Sequence, residues 1–188
     1  MDAENPTATP DGWIVYSQGG TSRLGIWKIH PDGSGATRIV AQWAGRPETS
    51  PNGRYVSYVV GLRGSSEVRV ARLEDGRPTP FQINMRLRGG SNDALIGRTR
   101  WMPDGKTIVF SGHEESGPYG LYSQGFDPSR NTSATLKRLA GFDPDVQLES
   151  FGISPDGSRM IVGAYEQLSS LLIAERVPGI PPRRTAPR

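Results

Sequence analysis

Trp101-Met102-Pro103-Asp104-Gly105-Lys106-Thr107-Ile108-Val109-Phe110-Ser111 reads as the end of one strand, a tight turn and the start of a second strand. Proline pre-sets φ for the first central position of a type I turn, Asp suits the second, and Gly suits the exit. Beyond the turn, Thr107, Ile108, Val109 and Phe110 are β-branched or aromatic, the composition of a strand that fits a packed sheet.

The same hairpin recurs. Its turn prolines are Pro10, Pro51, Pro103 and Pro155, spaced 41, 52 and 52 residues apart. The companion segments are Pro10-Asp11-Gly12-Trp13-Ile14-Val15-Tyr16, Pro51-Asn52-Gly53-Arg54-Tyr55-Val56-Ser57-Tyr58 and Pro155-Asp156-Gly157-Ser158-Arg159-Met160-Ile161-Val162. A period of roughly 40–50 residues with strand signals marks a β-propeller blade, a four-stranded antiparallel sheet.

The rest of each unit fits that blade. In the first unit, Trp13–Ser17, Leu24–His30 and Ala36–Val40 are expected strands. The second unit has Trp43–Ser50, Tyr55–Val60, Glu67–Leu73 and Thr79–Asn84. The third has Leu95–Met102, Thr107–Ser111, Tyr119–Phe126 and Ala134–Leu139, and the fourth Gln147–Ser154, Arg159–Ala164 and Ser169–Glu175. Residues 1–9 are polar and supply no expected inner strand for the first unit. Prolines 178, 181 and 182 break the outer strand of the last, leaving 178–188 as a Pro/Arg-rich tail. The blades therefore span 10–177, with an all-β fold of about 3.5–4 blades. Such an array closes as a small ring, forms part of a longer propeller with the remainder upstream, or has its open edges covered by another chain or a further copy. The second outcome is the favoured expectation.

Composition agrees with many short strands and turns. Gly (24) and Pro (16) exceed a fifth of the 188 residues, which argues against long helices. No stretch is apolar and long enough for a membrane helix, and the polar, acidic start Met1–Pro6 is not a signal peptide, which leaves two expectations: a cytoplasmic protein, or one from which a leader or a longer N-terminal region has been removed. The absence of cysteine excludes disulfides, zinc–thiolate sites and cysteine nucleophiles. Net charge is +3, with nineteen Arg against three Lys. Arginine suits bidentate recognition of carboxylate or phosphate.

These turn-and-strand motifs resemble the TolB-like propeller family, related to WD40-like repeats. The run Gly25-Ile26-Trp27-Lys28-Ile29-His30-Pro31-Asp32-Gly33-Ser34-Gly35-Ala36-Thr37-Arg38-Ile39 is similar to the family's strand, Asp-Gly turn and following Arg-apolar strand. The resemblance covers about residues 10–176. It implies a bacterial, periplasmic or otherwise extracytoplasmic protein that binds or scaffolds another protein, more often than a catalyst. Related repeats also occur in serine peptidases and in sensor regions of receptor kinases.

Aligning the units on the turn proline gives two sets of inner-strand residues. Thr49, Trp101 and Ile153, with Pro47, Thr99 and Phe151, are expected to pack within the sheet stack. The opposite parity brings Arg46 and Arg98 to equivalent places on neighbouring blades, and likewise Glu48 and Arg100. An innermost strand lines the channel, so Arg46, Arg98 and Arg100, with Glu48 and Glu149 nearby, form a candidate basic wall for an acidic ligand or peptide terminus. The other reading of the same residues is an inter-blade Arg–Glu pair that only holds the fold.

Little else suggests chemistry. His30 and His113 lie too far apart in the chain to suggest a metal site by spacing. No Gly-x-Ser-x-Gly elbow is present, and Glu114-Glu115 reads as a solvated loop pair. Asp11, Asp32, Asp104 and Asp156 sit in turns, where they bond local amides. No cofactor is expected and no catalytic constellation is visible; Arg86, Arg88, Arg98 and Arg100 are close in sequence, but nucleic acid, which needs a concentrated basic face with aromatics, is not the expected partner.

Overall fold

Four turns of one chemistry organise the computed structural model, which describes residues 3–20, 22–62, 65–86, 98–112, 120–141 and 146–166. In each turn the glycine amide donates to the carbonyl of the residue before the proline: Gly12 to Thr9, Gly53 to Ser50, Gly105 to Met102 and Gly157 to Ser154, at 2.8–3.0 Å. All four glycines have positive φ, which the exit of the turn requires. Asn52, Asp104 and Asp156 accept the backbone amides of Arg54, Lys106 and Ser158, so the acidic turn residues do local work. Asp32 does the same for Ser34 in the β3–β4 turn.

The strands are β1 (Ala3–Ala8), β2 (Ile14–Gln18), β3 (Gly25–Ile29) and β4 (Thr37–Val40) in blade 1. Blade 2 holds β5 (Gly45–Thr49), β6 (Tyr55–Leu62), β7 (Ser65–Arg72) and β8 (Pro78–Arg86). Blade 3 holds β9 (Thr99–Trp101), β10 (Thr107–Gly112), β11 (Gly120–Gly125) and β12 (Lys137–Gly141). Blade 4 contributes β13 (Val146–Ile153) and β14 (Met160–Glu166). Each of the first three sheets is an antiparallel meander of four strands in chain order, and the last is a pair among the described residues. The expected strand at 169–175, the tail, His113 and Glu114-Glu115 lie outside the described residues.

One expectation is overturned. Sequence alone leaves residues 1–9 outside the blades, yet residues 3–8 form β1, the inner strand of blade 1, paired with β2. Its residues are mostly exposed and carry little apolar signal. What holds it is backbone pairing and hydroxyl contacts: Ser17 Oγ donates to the Glu4 carbonyl at 3.0 Å, and the Thr7 and Thr49 hydroxyls meet at 3.1 Å. A polar strand can be stabilised this way, and side-chain pattern does not reveal it.

The hairpin of blade 1 is also one residue shorter than the others. Thr9 donates to Trp13, four residues on, whereas Ser50, Met102 and Ser154 donate five residues on. Ile14, Val56, Ile108 and Met160 are therefore the equivalent positions, opposite Ala8, Thr49, Trp101 and Ile153. A one-residue slip exchanges the two faces of a strand. Val15, not Ile14, consequently turns toward blade 2.

The core lies between sheets. Val15, Ile26, Ile39 and Val40 of blade 1 meet Val56, Tyr58, Val60 and Ala71 of blade 2. Val59, Val68, Val70, Phe81 and Ile83 meet Trp101, Ile108, Phe110 and Tyr122 of blade 3. Val109 and Leu121 meet Leu148 and Phe151 of blade 4. Phe126 adds an aromatic pin, edge-on to Trp101 at 4.9 Å and Tyr55 at 5.0 Å.

The blade 3–4 side carries a mismatch. Ser111 and Ser123 have buried hydroxyls with no hydrogen-bond partner among the described residues. A buried unsatisfied hydroxyl costs about 1–3 kcal/mol. Ser111→Ala and Ser123→Ala should therefore each leave stability unchanged or raise it by up to about 1 kcal/mol. Urea midpoints of the two variants check this, and a loss in both would mean that the hydroxyls are satisfied in solution.

Candidate functional site

The inner strands β1, β5, β9 and β13 present equivalent positions to one another. Opposite Val15, Ser57, Val109 and Ile161 of β2, β6, β10 and β14 lie Thr7, Glu48, Arg100 and Gly152 respectively. Across the first blade boundary, Thr49 Oγ1 donates to the Ala8 carbonyl at 2.7 Å, beside the Thr7 hydroxyl. Across the second, Arg100 Nη1 donates to Glu48 Oε2 at 2.9 Å, and Trp101 Nε1 to the Glu48 carbonyl at 3.1 Å. Across the third, the Arg100 guanidinium lies 6.0 Å from the centre of the Phe151 ring. Gly152 offers no side chain there, and an added Cβ would meet nothing within 4 Å.

The packing set behaves as expected: Pro47, Thr49, Thr99, Trp101 and Phe151 are buried and Ile153 is half-buried. Thr99 also shares a hydrogen bond of 2.9 Å with Ser57. Of the candidate site residues, Arg46, Glu48 and Arg100 are half-buried and Arg98 is exposed. Glu48 and Arg100 are brought into direct contact, with side chains only 25% and 23% exposed. Arg98 acts on Glu48 through its charge. The Glu149 side chain lies outside the described residues.

Two forces compete at Glu48. Burial raises its carboxyl pKa, and the positive charges of Arg100 and then Arg98 oppose that. Burial wins, so the carboxyl lies above its ordinary value.

Arg46 has a conformation that simple alternation does not foresee. Its φ is +53°, and Asn5 has +51° at the equivalent place. In both strands the register shifts at that point, between Glu4 and Thr7 and between Gly45 and Glu48. Two residues, Asn5-Pro6 or Arg46-Pro47, thus oppose a single residue on the neighbour, which is a β-bulge. Proline lacks the amide that a regular ladder needs, so it sits well in the irregularity. The paired Asn-Pro and Arg-Pro steps, each five and four residues before a turn proline, are the sequence signal for it.

A second feature is absent from the sequence reading. A cleft of about 490 Å³ opens between blades 1 and 2, lined among others by Asp11, Trp13, Lys28, Arg54, Arg72 and Glu74. Lys28 Nζ donates to the Leu73 carbonyl at 2.8 Å and sits 4.8 Å from the Trp13 ring centre. The Trp13 ring also meets the His30 ring, with centres 3.6 Å apart. His30 is thereby a packing residue beside its turn. Arg72 is paired with Asp75. Lys28 thus bridges the blade boundary, whereas Arg72 is held within blade 2. Among the described residues, no group of three or more His, Cys, Asp or Glu could hold a metal ion, and no helix is long and apolar enough to cross a membrane.

No family model matches the sequence, and no curated protein matches it. Solved structures do. TolB from Acinetobacter baumannii superposes with a TM-score of 0.64 at 22% identity, over 86% of this chain and 37% of that one. The TolB-assigned protein of Agrobacterium tumefaciens gives 0.62 at 17% identity, over 87% of this chain and 55% of that one. A prolyl endopeptidase gives 0.62 at 14% identity, over 89% of this chain and 25% of that one. The chain thus spans from a quarter to about half of the proteins it resembles. Its fold is that of the TolB-like β-propellers, with three four-stranded blades and one pair of a fourth among the described residues.

Proposed function

We propose that this chain is a non-catalytic propeller module that binds another protein through the inner strands, as part of a larger extracytoplasmic assembly. The observation that carries this reading is the Glu48–Arg100 pair on adjacent inner strands, with the exposed Arg98 beside it and open space at Gly152. A guanidinium held by one carboxylate is already oriented, so a second carboxylate approaching from the channel meets fixed donors rather than a mobile side chain. Arg46, Arg98 and Arg100 supply positive charge, and Glu48 and Glu149 set the register of what enters. An acidic side chain or a peptide C-terminus is the matching ligand.

Pentapeptides ending in Asp or Glu with a free C-terminus, and their amidated counterparts, test this by fluorescence polarisation. The free acids should bind at least tenfold tighter, and Arg98→Ala should abolish the difference. Equal binding of both forms, or an Arg98→Ala variant that binds as the parent does, would reduce these residues to structural roles.

The likeness to a prolyl endopeptidase favours a second reading, in which the module is the accessory propeller of an enzyme. A hydrolase or kinase domain encoded in the same reading frame would decide for it.

A further inference from the structure

Blade 1 departs from its neighbours at the boundary where the cleft opens. Lys28, Val70 and Ser123 are equivalent positions on β3, β7 and β11, opposite Val15, Ser57 and Val109. Val70 is fully buried and Ser123 is 3% exposed, so the position belongs to the face that packs on the following blade. Blade 1 places a half-buried lysine there. Leu73 and Phe126 are equivalent as well, since each donates its amide to the residue after a turn glycine, Arg54 or Lys106. Phe126 fills the blade 2–3 boundary against Tyr55, Phe81 and Trp101, with ring centres 4.9–5.6 Å apart. At the blade 1–2 boundary the smaller Leu73 stands in that place, with Trp13 in the place of Tyr55. The cleft is the space this exchange leaves, and the lysine extends into it.

We propose that this cleft binds a small zwitterion of the amino-acid and dipeptide class, with its carboxylate on Lys28 and Arg54 and its ammonium at Asp11 and Glu74. An ammonium has three donors, and the Leu73 carbonyl takes one from Lys28, so the others are available to a ligand oxygen. Arg72 is committed to Asp75. Two cations, Lys28 and Arg54, and two carboxylates, Asp11 and Glu74, remain around the cleft, and no salt bridge joins any of them to another among the described residues. Groups of both signs held apart favour a ligand that carries both, whereas a plain anion such as phosphate meets the repulsion of two carboxylates. Trp13, Tyr55 and Leu73 supply apolar wall for a side chain. The volume, about 490 Å³, is that of a small-molecule site rather than a groove for a folded partner. The proposal does not rest on what the channel binds.

Isothermal titration of the full chain with glycyl-leucine tests it. Acetylating the amine or amidating the carboxylate of the dipeptide should each weaken binding at least about tenfold, the worth of one lost charged hydrogen bond. Inorganic phosphate should not compete. Arg54→Ala should weaken binding by about tenfold at an unchanged urea midpoint, because that side chain belongs to an exposed residue and makes no ion pair among the described residues. Lys28→Met keeps the apolar stem, removes the charge and should abolish binding. Repeating the titration in an Arg98→Ala background removes any contribution of the channel, so the fate of this proposal is read separately from that of the channel site. Absence of saturable heat, equal binding of the capped dipeptides, competition by phosphate, or full binding by both cleft variants would overturn the proposal.

Discussion

Phe110→Ala should cost about 3–5 kcal/mol of stability, more than any other single truncation argued above. Phe110 is fully buried, faces blade 2, and stacks on Tyr122 with ring centres 5.7 Å apart at 19°. Trp101, Phe81 and Val68 belong to the same cluster, so the ring is held by residues of two sheets. Deleting it removes its transfer free energy and leaves a cavity that these rigid, mutually packed neighbours do not fill. The comparison that sharpens the prediction is Ile161→Ala. That side chain is 79% exposed, so its truncation should change little. Urea unfolding of both variants, read as midpoint shifts at unchanged slope, checks the pair. A loss below about 1 kcal/mol for Phe110→Ala would mean that blades 2 and 3 do not share a packed core.

Arg100→Ala should cost about 2–3 kcal/mol at neutral pH and clearly less in acid. Removing one partner of a largely buried pair leaves the other charge uncompensated, which costs about 3–5 kcal/mol when burial is complete. The side chains here retain about a quarter of their exposure, which reduces the figure. The pH dependence follows from Glu48. Its folded pKa is raised above the ordinary 4.5 by burial, so the folded state holds that proton more tightly than the unfolded chain. Its contribution is then fully present below the ordinary value and declines as pH rises through the raised one. Arg100 is the strongest influence opposing that rise. Without it the carboxyl moves further up, and the variant should lose more stability than the parent as pH climbs from about 4 toward neutrality. Glu48→Gln in the Arg100→Ala background should recover most of the loss by removing the stranded charge. Urea midpoints from pH 4 to 8 measure both effects. A loss independent of pH would show that Arg100 stabilises by packing on Phe151 rather than by its charge.

The turn chemistry was fully legible because it is local. Proline, Asp or Asn, and Gly act within four successive residues, and their hydrogen bonds close within the same short span. Strands such as β6 and β10 were legible for a related reason: β-branched and aromatic residues mark a surface that packs on both faces. Repetition of these local units then pointed to blades, and the inner-strand parity brought Glu48 and Arg100 to equivalent places.

Equivalence is not contact, however. Glu48 and Arg100 are 52 residues apart, and only the stacking of blade 3 on blade 2 makes them a pair. The polar strand β1 was hidden because its stabilisation is backbone pairing to β2, which side-chain pattern does not encode. The shortened hairpin was hidden because alignment on Pro10 cannot see that the closing bond falls on Trp13, and that single residue decides which of Ile14 and Val15 faces blade 2.

Residue type by residue type, then, the chain specified its turns, its strands and their repetition, since each depends on neighbours a few positions away. Which faces are buried depends on what lies across the sheet. Val15 and Ile161 are both β-branched apolar residues at the same place in their blades, and one is sealed while the other is open. The difference is whether another described sheet lies across from the residue, a long-range fact that no local preference contains.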